Sequence, residues 1–486
     1  MNKNIKWYLI IVFSVLILII YTGYYFTDIG RSLDREIMIE NDPLSDKENS
    51  NKLPIPPLLE DIDPEEGKAE FNLKVQYGSK EFIKGYKTET LGYNGNYLGP
   101  TIKVSKGDDV KINVENTLNE PTTVHWHGLE VPGEMDGGPH QVIDPNNTWK
   151  PYFTIDQQAA TLWYHPHLLH RTGEQVYKGL AGLFYIDDSI SNELNIPKEY
   201  GINDIPLVIQ DKRFTENGDI PYELSMRDLM NGFLGNEVLI NGALNPQLDL
   251  KNEIVRLRLL NGSNARTYEF SFSNEIEFYQ IASDGGFLEN SIRMNKLSLA
   301  PAERAEILID FSNYKLGDKI TLRDAEYNLM TINIAEETNK LSKLPDNLTE
   351  IKYHNRDEVS KIRKFVMSGM GPMVAINGKQ MNMDRIDEKL NLNELEEWVI
   401  TNESVGMGMM NSTPHPFHIH GVQFQIIERN GKSPPLNERG WKDTVLVDNG
   451  EEVRVLAVFR KKGLFMYHCH ILEHEDSGMM GQFLVE

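Results

Sequence analysis

The chain has 486 residues, 40% of them hydrophobic, and its 49 basic and 72 acidic side chains give a net charge of −23. That length exceeds what one hydrophobic core organises, so two to three domains are expected, and the acidity argues against nucleic acid or anionic lipid as partners while favouring cationic substrates. A single cysteine, Cys469, excludes an intrachain disulfide or a thiolate cluster.

Lys3 and Lys6 precede an uncharged stretch from Trp7 to Thr27, long enough as a helix to cross the hydrocarbon layer. No small-x-small cleavage site follows it, no twin arginine precedes it and no cysteine for lipidation adjoins it. Residues 1–30 are therefore expected to form a retained transmembrane signal anchor. The flanking lysines place its start in the cytoplasm, which makes the chain a single-pass cell-membrane protein with everything after the anchor on the extracytoplasmic side. Residues 31–66 are polar, charged and proline-dotted, as a tether would be.

Beyond the tether, short β-rich runs are broken by Gly, Asn, Asp and Pro at the intervals of antiparallel sandwiches. Phe71–Gln76, Thr101–Val104, Asp109–Val114, Pro206–Gln210, Ile254–Leu260, Glu306–Phe311 and Val453–Phe459 are such runs. Charged stretches poor in aromatics, Asp187–Asp204 and Glu336–Lys361, divide the chain into three blocks. The pattern predicts an all-β protein with three β-sandwich domains, at residues 67–190, 205–336 and 362–486. Leu239-Ile240-Asn241-Gly242 and Ala375-Ile376-Asn377-Gly378 form a partial echo between the second and third blocks.

The 13 histidines include four His-x-His pairs: His125/His127, His165/His167, His418/His420 and His468/His470. In a strand, residues two apart share a face, so each pair presents two imidazoles to one place. Neutral imidazole is the common nitrogen ligand of copper, zinc and nickel. Two pairs lie in the first block and two in the third, so a shared site forms only where the ends of the chain meet. Eight imidazoles, two or three to an ion, imply about three ions.

Cys469 lies between His468 and His470, and strand alternation turns its sulfur to the opposite face, towards a different metal. His474 and Met479 follow it, and His415 lies upstream. Two histidines, one thiolate and a weak axial methionine are the ligands of a blue-copper electron-transfer centre. Cys469 is then joined by peptide bonds to cluster ligands on both sides, a short covalent path between the two sites.

At these residues the sequence resembles the multicopper oxidases, and within them the bacterial copper-efflux branch of laccase-like cuprous oxidases. The segments that carry the resemblance are His125 to Pro139, Trp163 to His167, Gly179 to Leu183, His415 to Gly421, Gly440 to Val445 and His468 to Met479, with Leu259 to Arg266 and Ile281 to Gly286 in the middle block. The resemblance implies three cupredoxin-like Greek-key domains and four copper ions. It assigns His415, Cys469, His474 and axial Met479 to the mononuclear copper. In the trinuclear cluster it assigns His125 and His418 to one ion, His127, His165 and His470 to a second, and His167, His420 and His468 to the third. Asp136 and Glu475 fall where the family places proton donors, with orientation of ligand histidines as the structural alternative; Asp443 reads as an orienting group. His140, His170 and His354 are read as non-ligands.

The implied reaction is one-electron oxidation of cuprous ion, phenols or diamines coupled to reduction of dioxygen to water, in copper tolerance, by a monomer with no nucleic-acid partner. A general phenol or bilirubin-type laccase and a non-catalytic copper-sequestering surface protein are the alternatives. In place of the branch's long methionine-rich insert, the stretch from His354 to Met383 is short and carries Met367, Met370, Met373, Met381 and Met383, while Met407, Met409 and Met410 precede His415. Methionines in a β-protein also serve as core filler.

Overall fold

Alternation turns one face of each predicted strand inward. In Lys68–Lys80, Ala69, Phe71, Leu73 and Val75 are buried while Asn72 and Lys74 between them are exposed. The computed structural model describes residues 51–325, 327–338, 343–403 and 413–486. The predicted anchor, the tether as far as residue 50, and Met407, Met409 and Met410 lie outside the described residues. Among the described residues no helix is long and apolar enough to cross a membrane.

Each of the seven β-rich runs overlaps a strand, and the strands form six sheets that pair about three apolar cores. Phe71 and Ile112 of one sheet meet Trp126 and Phe184 of the next. Leu207 and Leu257 meet Phe270 and Ile332. Phe365 and Trp398 meet Phe417 and Phe483. The sheets are not purely antiparallel as expected: each contains one parallel pair, such as Lys68–Lys80 with Asp109–Asn116. A parallel neighbour needs a crossover, and these sandwiches supply it by passing the chain through the facing sheet.

The echo seen in the sequence is a repeated hairpin with three copies. Asn94, Asn241 and Asn377 sit at φ 52°, 51° and 53°. Each side-chain oxygen accepts from an amide on the neighbouring strand, of Lys74 at 2.6 Å, Val208 at 2.7 Å and Val366 at 2.8 Å. Each side-chain amide donates to the carbonyl two residues earlier, of Asn72, Pro206 and Lys364. Asparagine tolerates the left-handed backbone and satisfies both groups of the adjoining strand.

The expected tether differs in its last part. From Leu53, itself buried, the chain lies along the body. Leu53 donates to Gln247 O (2.8 Å) and Leu59 to Thr101 O (2.8 Å), while Pro54 and Pro56 accept from Asn241 Nδ2 (2.8 Å) and Tyr200 Oη (2.7 Å). Proline-rich extended backbone has no internal partners for its carbonyls, and here the body provides them.

Candidate metal centres

The strand His125–His127 pairs with Ala160–His165 so that His125 faces His165 and His127 faces Trp163. In the third block His418 pairs across with His468. Only His125/His127 lies wholly within a strand; His167, His420 and His470 stand just past strand ends, contrary to simple alternation. Backbone hydrogen bonds fix them there: His167 N donates to Thr123 Oγ1 (2.6 Å), His420 N to Met466 O (3.0 Å) and His470 N to Pro416 O (2.7 Å). The two ends of the chain interleave, His127 stacking on His418 at 3.7 Å between ring centroids and His125 on His420 at 3.9 Å.

One nitrogen of most rings is spoken for by oxygen. His125 Nδ1 donates to Asp136 O (2.9 Å), His127 Nε2 to Asp443 Oδ1 (3.0 Å), His165 Nδ1 to Pro166 O (2.8 Å), His418 Nδ1 to Asp443 O (2.8 Å), His420 Nδ1 to Asp136 Oδ2 (2.8 Å) and His468 Nδ1 to Cys469 O (3.1 Å). Carbonyl and carboxylate oxygens only accept, so each ring's proton is there and the other nitrogen carries a lone pair. Those lone pairs converge. His167 Nε2 and His420 Nε2 each lie 3.1 Å from His468 Nε2. His125 Nε2, His418 Nε2 and both nitrogens of His470 are buried without a hydrogen-bond partner.

A second group forms from the other face of Cys469. His415 Nδ1 lies 3.3 Å from Cys469 Sγ and 3.3 Å from His474 Nδ1, which is 3.8 Å from the sulfur. His474 Nε2 donates to Met230 O (3.1 Å), which leaves Nδ1 as the free donor atom. Met479 is buried in the same core as Cys469, and its carbonyl accepts from Cys469 N (3.1 Å). Burial first, then neighbouring imidazoles, keeps these rings neutral: His167, His415 and His470 are pushed down to about 3, and burial alone takes His474 to about 4. Burial pushes the Cys469 thiol up. Buried lone pairs that face one another at close range without a proton between them fit a bound cation, and a nitrogen and thiolate donor set fits copper.

The acidic residues surround the rings. Gly137, at φ 79°, brings the chain so close that a Cβ would lie 1.8 Å from Val124 O, and this seats Asp136 against His125 and His420. Glu475 lies 3.3 Å from His167 Nδ1 and 3.2 Å from His468 Nδ1. Asp443 orients His127 and His418 and accepts from Arg304, Gln423 and Thr444. Against the burial that would raise it, the Arg304 guanidinium and these hydrogen bonds hold its carboxyl below the usual range. His140 donates to Gln482, His170 to Asp476 O, and His354 packs edge-on to Trp441, all away from the two groups.

The middle block supplies supporting residues, of which Arg304, Tyr222 and Phe233 lie outside every motif. Arg304 supports Asp443, and Glu473, one residue before His474, accepts from Tyr222 Oη (2.7 Å), Asn264 Nδ2 (2.8 Å) and Phe233 N (2.9 Å). Of the methionines weighed in the sequence, Met367 is core, whereas Met370 and Met373 are 41% and 74% exposed.

Two family profiles described as multicopper oxidase match residues 74–191 and 347–486. The multicopper oxidase mco of Staphylococcus haemolyticus is 44% identical over 447 residues, covering 92% of this chain and 95% of its own. The chain belongs to the multicopper oxidases. A laccase from Pediococcus acidilactici superposes with a TM-score of 0.86 at 40% identity, over 90% of this chain and 94% of the other. The cell division protein FtsP of Photorhabdus laumondii is 38% identical over 459 residues, covering 90% of this chain and 93% of its own. As a multicopper oxidase the protein has a cupredoxin-like fold, copper as its cofactor and dioxygen as its electron acceptor.

Proposed function

We propose that this oxidase holds four copper ions and couples single-electron oxidation of a reductant to four-electron reduction of dioxygen to water. His415, Cys469 and His474, together with Met479, would hold the mononuclear blue copper. His125 and His418 would hold one cluster ion, His127, His165 and His470 a second, and His167, His420 and His468 the third. The observation that carries this reading is the convergence of buried, unshared ring nitrogens from both ends of the chain, with Cys469 between two of them. When bound, the mononuclear copper accepts electrons and the cluster passes them to dioxygen. The protein's own share is to exclude water, fix each tautomer and deliver protons. Asp136 keeps Oδ1 free while Oδ2 holds His420, and Glu475 lies between His167 and His468, so both stand where protons are consumed.

For the reductant we favour cuprous ion over phenols or diamines. The outer edge of His474 is closed by the helix Met226–Asn231 through the bond to Met230 O, which denies a planar ring direct contact. Met226 on that helix is 62% exposed, and its Sδ and Met230 Cγ adjoin Gly371, between exposed Met370 and Met373. Thioethers are soft ligands for Cu(I). A role in copper tolerance, three cupredoxin domains at 67–190, 205–336 and 362–486, a monomeric state, and an envelope location through an anchor at 1–30 complete the proposal.

The test is steady-state oxygen uptake by copper-loaded protein with Cu(I) and a phenol in parallel, for the native chain and a variant with Met226, Met370 and Met373 changed to leucine. A rise in the Michaelis constant for Cu(I) alone is expected. Equal changes for both substrates would make the protein a general laccase, and no uptake with either would leave copper sequestration.

A further inference from the structure

The tryptophans around the histidine cluster differ in where they lead. Trp163 stacks on His165 at 4.0 Å between centroids and lies 5.2 and 5.7 Å from His127 and His470, and beyond those imidazoles it shares a small core with Tyr185, a buried phenol whose Oη has no hydrogen-bond partner to take its proton. Trp126 is different. It is peptide-bonded to His125 on one side and His127 on the other, points away from them into the first core, and is fully buried with Nε1 unpartnered. Its ring lies 6.2 Å from that of Trp149, with the planes only 16° apart. Trp149 is half-buried between exposed Thr148 and Lys150, so this pair reaches the surface.

A second branch from Trp126 goes through Tyr164 at 5.9 Å and on to Tyr93 at 5.0 Å. It is chemically closed. Oxidising a phenol requires the loss of its proton, yet Tyr164 Oη donates only to Pro100 O (2.7 Å), which is no base, and Tyr93 Oη is buried without a partner. An indole needs no base at that moment, because its radical cation keeps the N–H proton while the charge moves on.

We propose that Trp126 and Trp149 form an escape route for oxidising equivalents stranded at the histidine cluster, a reading that rests on the oxidase function above. When dioxygen has been taken up and the reductant fails, one electron leaves the Trp126 indole for the cluster. Trp149 then reduces the Trp126 radical cation by one electron and releases its own indole proton to water at the surface. One electron and one proton from a phenol or thiol in solution restore Trp149. Where dioxygen reaches the neutral Trp149 radical first, it adds to give a peroxyl radical, which takes one electron and one proton from the limiting reductant and leaves an oxygenated indole. The arrangement thus directs damage to a surface residue and away from the ligand imidazoles.

Copper-loaded protein cycled under oxygen with less reductant than the four electrons each dioxygen requires tests this, with oxygen incorporation mapped by peptide mass spectrometry. Trp149 is expected to be oxygenated several-fold more than Trp441, which is also half-buried and serves as the control for solvent-borne oxidants. A radical signal from indole in freeze-quenched samples should disappear from the surface position in Trp149→Phe. That variant should keep its initial rate, lose activity after several-fold fewer turnovers, and shift oxygenation to Trp126 or the histidines. Equal labelling of Trp149 and Trp441, labelling concentrated on Trp163, or an unchanged lifetime of the variant would overturn the route while leaving the oxidase reading intact. Failure to take up oxygen with any reductant would overturn both.

Discussion

Arg304 grips Asp443 with both terminal nitrogens, at 2.7 and 2.6 Å, where neither side chain meets solvent. The same guanidinium donates through Nε to Thr161 O (3.1 Å), so one residue of the middle block joins the first and third blocks beside His127. Replacing it with methionine leaves a buried carboxylate unpaired, which costs about 3–5 kcal/mol. Urea unfolding of the copper-free protein should show this loss, with part of it recovered when Asp443→Asn is added. An unchanged midpoint would mean that Asp443 is adequately held by Gln423 and Thr444.

Cys469→Ser should abolish the intense thiolate-to-copper absorption while the histidine cluster still takes up copper. Its sulfur is the only thiolate the chain possesses. Blue colour persisting in the variant would refute the ligand assignment.

Asp136→Asn and Glu475→Gln keep size and hydrogen-bonding capacity but cannot release a proton. Oxygen turnover should slow at least several-fold, and anaerobic reduction of the mononuclear copper in stopped flow should run at its native rate. If reduction slows as much as turnover, the two carboxylates act only by orienting His420, His167 and His468.

Acid stability should depend on a buried network on the middle block, where Arg256 and Arg258 meet Asp204 and Glu306 and Thr161 of the first block joins them. Burial would raise both carboxyls, but the two guanidiniums hold them below their ordinary values. A depressed carboxyl stabilises the fold fully above its unfolded value, near 4, and the gain is lost as pH falls through the folded value, at up to about 1.4 kcal/mol per pH unit for each group. Asp204→Asn should therefore flatten the stability profile of the copper-free protein below about pH 4. A profile of unchanged steepness would assign acid sensitivity to other groups.

Truncation separates the proposed anchor from the fold. A chain starting at residue 51 keeps the bonds that residues 51–59, the strap along the body, make to it, and should be as stable as the native protein. One starting at residue 67 loses the buried Leu53 and the partners of Asn241 and Tyr200, which should cost about 2–4 kcal/mol. Equal melting temperatures for the two would show that the strap adds nothing.

The His-x-His and His-Cys-His motifs are visible in the sequence because their spacing is local, but only His125/His127 has its geometry fixed within one strand; His167, His420 and His470 are set by bonds to residues far along the chain. The parts played by Arg304, Glu473 and the helix over His474 are not visible there, since each acts through contacts distant in the chain that leave no periodic mark in it. The hairpin echo is plain in two blocks and weaker in the first, where Asn94-Gly95 keeps the Asn-Gly pair but Gly92 and Tyr93 replace the apolar pair before it, and the asparagine's hydrogen bonds establish the third copy. The prolines between 54 and 57 read as a loose tether because composition reports the absence of internal partners and is silent on external ones.

The bond from His474 to Met230 O also divides labour along the chain. On the proposed reading, the surface that meets the reductant joins Met226 of the middle block, which contributes none of the proposed copper ligands, to Met370 and Met373 of the third. Substitutions around Tyr222 to Phe233 can therefore retune what the protein oxidises without disturbing how oxygen is reduced. Such a design is modular: a block free of the proposed metal ligands is the place where a change of substrate preference carries little risk to the chemistry.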